Sequence, residues 1–440
     1  MVLNDMPDKR RILFLQGPPG LYWRELAIAF EAAGHSTFKI HLHLGEVLYW
    51  FRRGGTPFRG RFANWEAWLE RFVVANRISD ILYYSDRQPY HVVAQAIAAR
   101  HGINAIAVEN GYLRPDWITL ERNGMGTFSH FPDDPETIRR LAEDLTSPDL
   151  AVRYSHGLVT EMTHEITYNL FARVYRLLYP LYRSGTYYSP FTEYVRGILY
   201  HSGAKRREAA ARVIIDELAD GETAYFIVAL QLQSDKQIHA NSPFAHLSEM
   251  IESVIASFSS HAPDNAILVF KEHPHDNGVE NWPRIITAAA QRLVIAPRVK
   301  YICGGDLGRL LTKAKGCVIV NSTVGLHALR AGIPVKTLGI AIYDMAGLTD
   351  QKPLDDFWRD PAPVDKGLLD AFTRLMAHTI QIKGSFYNPA GRKAAVVETV
   401  RRVAVGSVNG DADAGHAPRL ALAGRLDIGP FARNHRSTAK

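Results

Sequence analysis

The sequence has few cysteines and no long apolar run, and each absence excludes a class of protein. Only two cysteines occur among 440 residues, Cys303 and Cys317. Both lie in or beside apolar, strand-like runs, so we expect reduced core residues rather than a disulfide framework. No stretch approaches the roughly 18 apolar residues that span a bilayer. The polar start of the chain predicts no signal peptide, and we therefore expect a cytoplasmic protein.

Several catalytic motifs are missing as well. The sequence contains no GxSxG, HExxH, CxxC or P-loop motif, the signatures of hydrolases, zinc enzymes, thiol redox proteins and P-loop nucleotidases. The one Asp-x-Asp pair, Asp411 and Asp413, lies in a Gly-, Ala- and Arg-rich stretch that we predict to be disordered. His41 and His43 alternate on one predicted strand with no acidic or cysteine neighbour, which favours structural histidines. We therefore expect no metal site and no cofactor.

What the sequence does contain is typical of a folded protein with excess positive charge. Hydrophobic residues make up 47% and charged residues 22% of the chain, as in ordinary globular proteins. A length of 440 residues favours two domains. The net charge of +6 favours an anionic partner, which could be nucleic acid, a nucleotide or the anionic cytoplasmic leaflet.

Strand-like and helical patterns alternate in both halves of the chain. This alternation predicts βαβ units and parallel sheets. Two such halves predict the α/β class with two Rossmann-like domains facing a cleft, the architecture of a GT-B glycosyltransferase. We assign residues 1–170 to the N-terminal domain, 171–221 to a basic, tyrosine-rich helical linker, 222–403 to the C-terminal domain and 404–440 to a disordered tail. The predicted strands are 11–16, 36–44, 80–85, 104–109, 225–232, 267–271, 299–303, 317–321 and 335–338.

The linker has its own composition. Between Phe171 and Arg212 it carries eight Arg or Lys residues against two acids, and seven interleaved tyrosines. Two interpretations stay open. Basic stretches with interfacial aromatic residues lie on anionic membranes. The alternative is a helical linker whose tyrosines pack between the two domains.

In open α/β sheets, ligands bind outside the carboxyl ends of the strands, so polar residues that follow predicted strands are the candidates for chemistry. Gln16 and Gly17 begin a glycine-rich turn that is either an anion site or a simple tight turn. Glu109 ends a strand shortly before Arg114, which fits an acid/base beside an anion site or a turn. Asp235 follows the strand that ends near Gln231, where a carboxylate can attack an anomeric carbon; the alternative is a solvated loop.

A further pair of strand ends is rich in groups that bind phosphate. Lys271 and His273 follow one predicted strand, and Asn321, Ser322 and Thr323 follow another and open a helix. A helix N-terminus with hydroxyls, a lysine and a histidine makes a phosphate cradle. Ordinary N-capping by Ser322 or Thr323 is the alternative.

Six separated motifs, in order, resemble those of the KpsS/LipB-type capsule polysaccharide proteins. The resemblance runs from about residue 11 to residue 387. The motifs are QGPPG (16–20), ENGYLRPDWITLE (109–121), LQLQSDKQI (230–238), FKEHP (270–274), NSTVGLHAL (321–329) and LGIAIYDMAGLT (338–349).

This resemblance implies a GT-B-like, retaining β-Kdo transferase. Its donor is CMP-Kdo and its acceptor a (lyso)phosphatidylglycerol-type lipid at the cytoplasmic face of the inner membrane, where the enzyme starts the poly-Kdo linker of capsular polysaccharide. A donor with a single phosphate agrees with the lack of an Asp-x-Asp motif in the predicted domains. Other capsule assembly proteins are further expected partners, and nucleic acid is not.

Residue by residue, the resemblance implies Asp235 as nucleophile and Glu109 as acid/base. Around CMP it places one group of residues: Gln231, Lys271, His273, Asn321, Ser322 and Thr323. Kdo carries a carboxylate at its anomeric carbon, so a cation is also needed. Arg114 is the candidate, with Gln16 and Gly17 as further contacts for the carboxylate or the acceptor.

Two other functions remain open at the level of sequence. The first is a non-catalytic capsule export or scaffold protein that binds the nascent glycolipid. The second is a nucleotide-sugar epimerase of GT-B shape, which needs paired acid/base carboxylates. Carboxylates at strand ends beside a phosphate cradle favour the transferase.

Overall fold

A computed structural model describes residues 9–174, 177–185, 187–188, 190–410 and 416–428. The chain divides into two compact units. The first unit draws on residues 1–131, 144–185 and 373–418, and the second on residues 132–143, 186–372 and 419–440. The chain therefore leaves and re-enters each unit.

The first unit is built on a seven-stranded sheet in the order β12-β6-β5-β4-β1-β2-β3. The central strands are parallel, whereas β6 pairs antiparallel with both β5 and β12. The strands are β1 (Arg11–Phe14), β2 (Ser36–His41), β3 (Gly55–Pro57), β4 (Asp80–Tyr84), β5 (Asn104–Asn110), β6 (Trp117–Arg122) and β12 (Gln381–Lys383).

Both faces of this sheet are buried, because side chains alternate along each strand. In β1, Ile12 and Phe14 enter one hydrophobic core, whereas Leu13 enters the core on the opposite face. Helices cover both faces. They are α1 (Tyr22–Ala32), α2 (Leu44–Trp50), α3 (Trp65–Ala75), α4 (Pro89–His101), α6 (Leu158–Val174) and α16 (Pro389–Ala404), while α15 (Lys366–Thr379) runs from the second unit into the first.

The second unit is built on a five-stranded, wholly parallel sheet in the order β11-β10-β7-β8-β9. The strands are β7 (Tyr225–Ala229), β8 (Ile267–Lys271), β9 (Val299–Ile302), β10 (Gly316–Ile319) and β11 (Val335–Thr337). The helices are α5 (Pro135–Leu141), α7 (Pro190–Ser202), α8 (Ala204–Asp220), α9 (Lys236–Asn241), α10 (Leu247–His261), α11 (Trp282–Arg292), α12 (Leu307–Leu311), α13 (Val324–Arg330), α14 (Leu354–Phe357) and α17 (Leu420–Arg425).

Each sheet has a topological switch point, where successive connections leave in opposite directions. In the second unit the chain runs from β7 outward to β8 and β9, then returns to β10 on the other side of β7. In the first unit, β1 is flanked by β2 and β4. The carboxyl ends of β7 and β10, and of β1 and β4, therefore border the crevices where ligands of such sheets bind.

The nine predicted strands are all present, each within a few residues of the predicted bounds. The α/β class with two Rossmann-like units is confirmed, and a GT-B fold consists of two such units. The sequence missed β3, β6 and β12. The stretch 109–121 is therefore largely an antiparallel hairpin of β5 and β6, in which Glu109 pairs with Thr119.

The predicted domain boundaries differ from those of the structure. Residues 373–403 were assigned to the C-terminal domain, but β12 pairs with β6 in the first unit, with Ile382 opposite Ile118. Residues 171–221 do not form a separate linker, because the division falls at residue 185 and α8 buries Ile215 and Leu218 in the second unit. Among the helices of the described ranges, none combines the length and the apolarity needed to cross a membrane.

The predicted disordered tail is folded over its described part. Asn409 receives a hydrogen bond from the backbone of Arg122 at 2.9 Å. Further along, α17 packs Ala423 against Ile340 of the second unit. Composition alone predicted disorder. Contacts with residues far away in the sequence offset the conformational entropy that this segment loses on folding. Residues 411–415 and 429–440, and with them the pair Asp411 and Asp413, lie outside the described residues.

Three tyrosines of the predicted linker lie within their own units. Tyr179 is buried, and the ring of Tyr182 stacks on Tyr90 with centroids 5.8 Å apart. Tyr187 stacks on His239 at 4.8 Å. Each of these contacts lies within one unit, so they test neither packing between domains nor binding to a membrane; Tyr175 lies outside the described residues.

Candidate functional site

The switch point of the second unit brings together residues from two of the predicted motifs. Gln231 follows β7 and Asn321 follows β10. The Gln231 Nε2 donates to Asn321 Oδ1 at 2.9 Å, and the Asn321 backbone N–H donates to Gln231 Oε1 at 3.2 Å. The two strand ends are therefore tied together by a reciprocal pair of hydrogen bonds.

Asp235 lies beside this pair and begins helix α9. Its Oδ1 accepts a hydrogen bond from the Gln237 backbone N–H at 2.8 Å, so Asp235 is the N-cap of the helix. Its Oδ2 accepts from Gln231 Nε2 at 3.4 Å. Asp235 thus lies beyond the carboxyl end of β7, as predicted, and it also caps a helix, a role that was not predicted from the sequence. We name Gln231, Asp235 and Asn321 the switch-point cluster.

The start of helix α13 extends this cluster. Asn321 Nδ2 donates to the Gln237 carbonyl at 3.0 Å. Ser322 Oγ accepts from the Val324 backbone N–H at 3.2 Å, whereas the N-cap residue Thr323 makes no capping hydrogen bond through its side chain. Gly325 lets the helix approach closely, because a Cβ there would lie 2.5 Å from the Tyr343 hydroxyl oxygen. The hydroxyls of Ser322 and Thr323 therefore stand at a helix start beside the switch-point cluster.

Lys271 is the last residue of β8 and His273 follows the strand, on the other side of β7 from Asn321. Lys271 Nζ donates to the Gly304 carbonyl at 2.8 Å, in the loop after β9. Burial lowers the pKa of the Lys271 ammonium. His273 Nδ1 accepts from the His275 backbone N–H at 3.1 Å. Lys271 is thus held at the β8–β9 edge, whereas the predicted cradle placed it next to residues 321–323.

A polar cluster around the buried Glu272 lies at the same edge of the sheet, and it was not predicted from the sequence. The Tyr200 hydroxyl donates to both carboxylate oxygens of Glu272, at 2.5 and 2.7 Å. The Cys303 thiol donates to Glu272 at 3.4 Å, and Arg207 Nε donates to the sulfur at 3.4 Å. Burial raises the pKa of both Glu272 and Cys303. The sequence feature that could have indicated this cluster is Glu272, which lies inside the FKEHP motif.

In the first unit, the glycine-rich turn binds a carboxylate of the protein itself. The Gly17 N–H donates to Glu46 Oε1 at 3.1 Å, and the other oxygen of Glu46 pairs with the buried Lys39 ammonium. A Cβ on Gly17 would lie 2.4 Å from Cδ1 of Trp23, so packing requires the glycine. Gln16 Nε2 donates to the Tyr182 hydroxyl at 3.0 Å. The candidate contacts Gln16 and Gly17 are thus engaged within the fold.

His41 and His43 belong to the same buried region. Burial lowers the pKa of His41 to about 3 and that of His43 to about 4, so both rings are neutral near pH 7. These positions fit the structural interpretation of the two histidines. Over the part of the chain that the structure describes, no three His, Cys, Asp or Glu side chains are grouped to hold a metal ion.

Glu109 lies near the end of β5 and is hydrogen-bonded to one backbone N–H and one side chain. The Asn110 backbone N–H donates to Glu109 Oε1 at 3.1 Å. The Tyr84 hydroxyl is hydrogen-bonded to Glu109, and burial followed by the Glu109 charge raises the tyrosine's pKa. Arg114 is exposed in the turn between β5 and β6. Glu109 is therefore half-buried and hydrogen-bonded, whereas Arg114 is exposed at the surface.

Known proteins resemble this chain over most of its length. The family model "Capsule polysaccharide biosynthesis protein" matches residues 79–387. The capsule polysaccharide modification protein LipB of Neisseria meningitidis serogroup A is 30% identical over 402 residues, covering 88% of this chain and 93% of that protein. The capsule polysaccharide export protein KpsS of Escherichia coli is 30% identical over 385 residues, covering 86% of this chain and 97% of that protein.

Among solved structures, the beta Kdo 2,7 transferase KpsC of Thermosulfurimonas dismutans shares 14% identity with a TM-score of 0.43, covering 89% of this chain and 99% of that one. The family model and the two relatives agree with the resemblance carried by the six motifs. The chain belongs to the capsule polysaccharide biosynthesis protein family.

Proposed function

We propose that the chain is a retaining glycosyltransferase that moves Kdo from CMP-Kdo to a (lyso)phosphatidylglycerol-type lipid, and so starts the poly-Kdo linker of capsular polysaccharide. Family membership supports the capsule role. The observation that carries the chemistry is the switch-point cluster, because it fixes a carboxylate at the carboxyl end of β7, where ligands of parallel sheets bind.

In the first displacement, an Asp235 oxygen bonds to the anomeric carbon of Kdo. The bond from that carbon to the phosphate oxygen breaks, and CMP leaves with the electron pair. In the second displacement, the acceptor hydroxyl attacks the same carbon and the bond to Asp235 breaks. Glu109 takes the hydroxyl proton. Two inversions give net retention of configuration.

The contacts proposed for CMP come from two strand ends of the second unit. Asn321, Ser322 and Thr323 supply an amide and two hydroxyls at the start of α13. At the end of β8, Lys271 is proposed to supply positive charge and His273 a ring N–H. For Lys271 this requires that Nζ leave the Gly304 carbonyl to which it is hydrogen-bonded. A single leaving phosphate needs less charge neutralisation than a diphosphate, which is why the proposal includes no metal ion.

The second candidate is a non-catalytic protein that binds the nascent glycolipid for export. Two observations favour it. The similar Escherichia coli protein is called an export protein, and the N-cap role of Asp235 accounts for that aspartate without any chemistry. The two candidates differ in one measurable property, which is the release of CMP.

The deciding experiment incubates the protein with CMP-Kdo and a fluorescent lyso-phosphatidylglycerol, followed by mass analysis of the lipid and measurement of free CMP. The transferase adds one Kdo to the lipid and releases one CMP for each sugar moved. An export protein binds the lipid and releases none. Glu109→Gln and Asp235→Asn are the matched inactive controls, because both substitutions keep the side-chain shape and remove the negative charge.

A further inference from the structure

Helix α6 presents a row of apolar side chains to solvent. The row consists of Val159, Met162, Ile166 and Leu170, which are 77%, 41%, 40% and 51% exposed. Their spacing of three and four residues places them on one face of the helix. We name these four residues the α6 stripe.

The opposite face of α6 holds the helix in the first unit. The Tyr168 hydroxyl donates to Glu46 at 2.8 Å, and the Tyr49 hydroxyl of α2 donates to the His164 carbonyl at 3.2 Å. Tyr49 and Tyr168 stack with centroids 6.2 Å apart. Because this side is anchored by buried polar contacts, the α6 stripe faces outward as a consequence of the fold.

The charges of α6 are divided between its two sides. Glu161 bonds to His156 at 3.2 Å, and Glu165 interacts electrostatically with the buried Tyr84. At about 100° per residue, both acids fall outside the arc of the stripe, whereas Arg173 falls within it. Arg173 is exposed, and Glu165 is exposed beside the arc rather than within it. Within the arc of the α6 stripe the helix is therefore apolar, with the positive charge of Arg173.

Three more apolar side chains are exposed in the segment that follows α6 in the chain. Leu177, Leu178 and Leu181 are exposed, and the buried Tyr179 between them anchors the segment. The exposed Arg183 lies over the Phe62 ring at 5.0 Å. The α6 stripe and these three leucines together expose seven large apolar side chains, and the exposed Arg173 and Arg183 lie in the same two segments. Exposed apolar patches of this kind are typical of surfaces that bind a partner or a membrane.

We propose that the α6 stripe and the three leucines dock on an anionic lipid bilayer. Amphipathic helices with arginine beside an apolar face bind the interface of such membranes. A second copy of this chain would bring Arg173 against another positively charged face, which disfavours self-association through the stripe. The inference deepens the proposed function, because it brings the protein to the surface that holds a lipid acceptor.

The test measures binding alone and therefore does not depend on transferase activity. The full chain is floated with vesicles of 30 mol% phosphatidylglycerol and 70 mol% phosphatidylcholine. Ile166→Ser combined with Leu170→Ser is expected to weaken binding by at least about tenfold, since both side chains lose apolar contact with lipid. Val74→Ser combined with Val397→Ser, two valines of similar exposure on other helices, is the control and should bind as the parent does.

A second pair of variants tests the charges. Arg173→Ser with Arg183→Ser should weaken binding at low salt by about fivefold for each residue, with the difference vanishing at high salt. Lys205→Ser with Arg206→Ser removes the same charge from an exposed part of α8 and should have a smaller effect. Arg207 is left in place because its guanidinium lies 3.8 Å over the Tyr200 ring.

Three results would overturn the inference. Unchanged flotation of the stripe variant would show that these side chains do not enter lipid. If the variant Lys205→Ser with Arg206→Ser is the one variant that no longer floats with vesicles, the docking surface is the start of α8 and not the α6 stripe. A parent dimer that the stripe variant converts to a monomer in light scattering would make the stripe a subunit interface. Failure of the proposed function is seen separately, as no transfer to a short-chain, water-soluble acceptor by the parent protein.

Discussion

Replacing Asp235 by asparagine separates the cap seen in the structure from the proposed nucleophile. Asparagine caps helices about as well as aspartate, so its amide oxygen can still accept from the Gln237 N–H. We expect the free energy of unfolding to change by less than about 0.5 kcal/mol. An amide is a very poor nucleophile, so the transfer rate should fall by at least about a thousandfold, or about 4 kcal/mol in activation free energy.

Two further variants calibrate this result. Asp235→Ala removes both roles and should cost about 1 kcal/mol of stability in addition to activity. Asp306→Asn is the matched control, because Asp306 also caps a helix after a strand of the same unit, accepting from Gly308 N–H at 2.7 Å. It should leave both stability and activity unchanged.

Stability is measured by urea unfolding and activity by the initial rate of CMP release. With donor alone, the parent protein should gain the mass of one Kdo, and Asp235→Asn should not. Turnover of Asp235→Asn within tenfold of the parent rate would refute the reasoning. Asp235 would then be a helix cap only, and the nucleophile would have to be another carboxylate, with Glu109 the first to examine.

Three other predictions follow from the structure. Ser322→Ala should weaken CMP binding by about tenfold or more, measured by calorimetry, since the hydroxyl is proposed to bind the phosphate. Transfer should continue in excess EDTA, because the proposed chemistry uses no metal ion. Lys39→Met should cost about 3–5 kcal/mol in urea unfolding, because it leaves the buried Glu46 carboxylate without its cation. Although burial alone would raise it, the pKa of Glu46 lies below its usual value because of Lys39. The stabilisation by this pair is therefore present above the usual glutamate range and lost as the pH falls below it.

Each of these predictions has a clear contrary result. Unchanged CMP affinity in Ser322→Ala would place the nucleotide elsewhere. Activity that is lost in EDTA and restored by Mg²⁺ would contradict the metal-free mechanism. Equal stability of Lys39→Met and the parent protein would show that Glu46 is protonated or hydrated rather than paired.

The local pattern of the chain determined the strands and the order of the strand ends. Ile267–Lys271 was predicted with its observed bounds, because a short apolar run between turns carries its own signal. The places of Gln231 and Asn321 near the ends of strands were predicted in the same way. Such features depend on residues within a few positions of one another, so a single sequence is enough to find them. The contact between Gln231 and Asn321, which are far apart in the chain, required β7 and β10 to be neighbours in the sheet.

Other features were decided by contacts between distant parts of the chain. Gln381 pairs with Thr119 across the β12–β6 ladder, Glu46 fills the turn at Gly17, and Lys271 bonds to Gly304 rather than standing in a cradle with Ser322. The strand β12 has three residues, too few for a periodic pattern of apolar residues. It pairs with β6 because Ile382 and Ile118 pack in the same hydrophobic core. A side chain's partner likewise depends on which groups the fold brings near it, and neither composition nor periodicity encodes that distance.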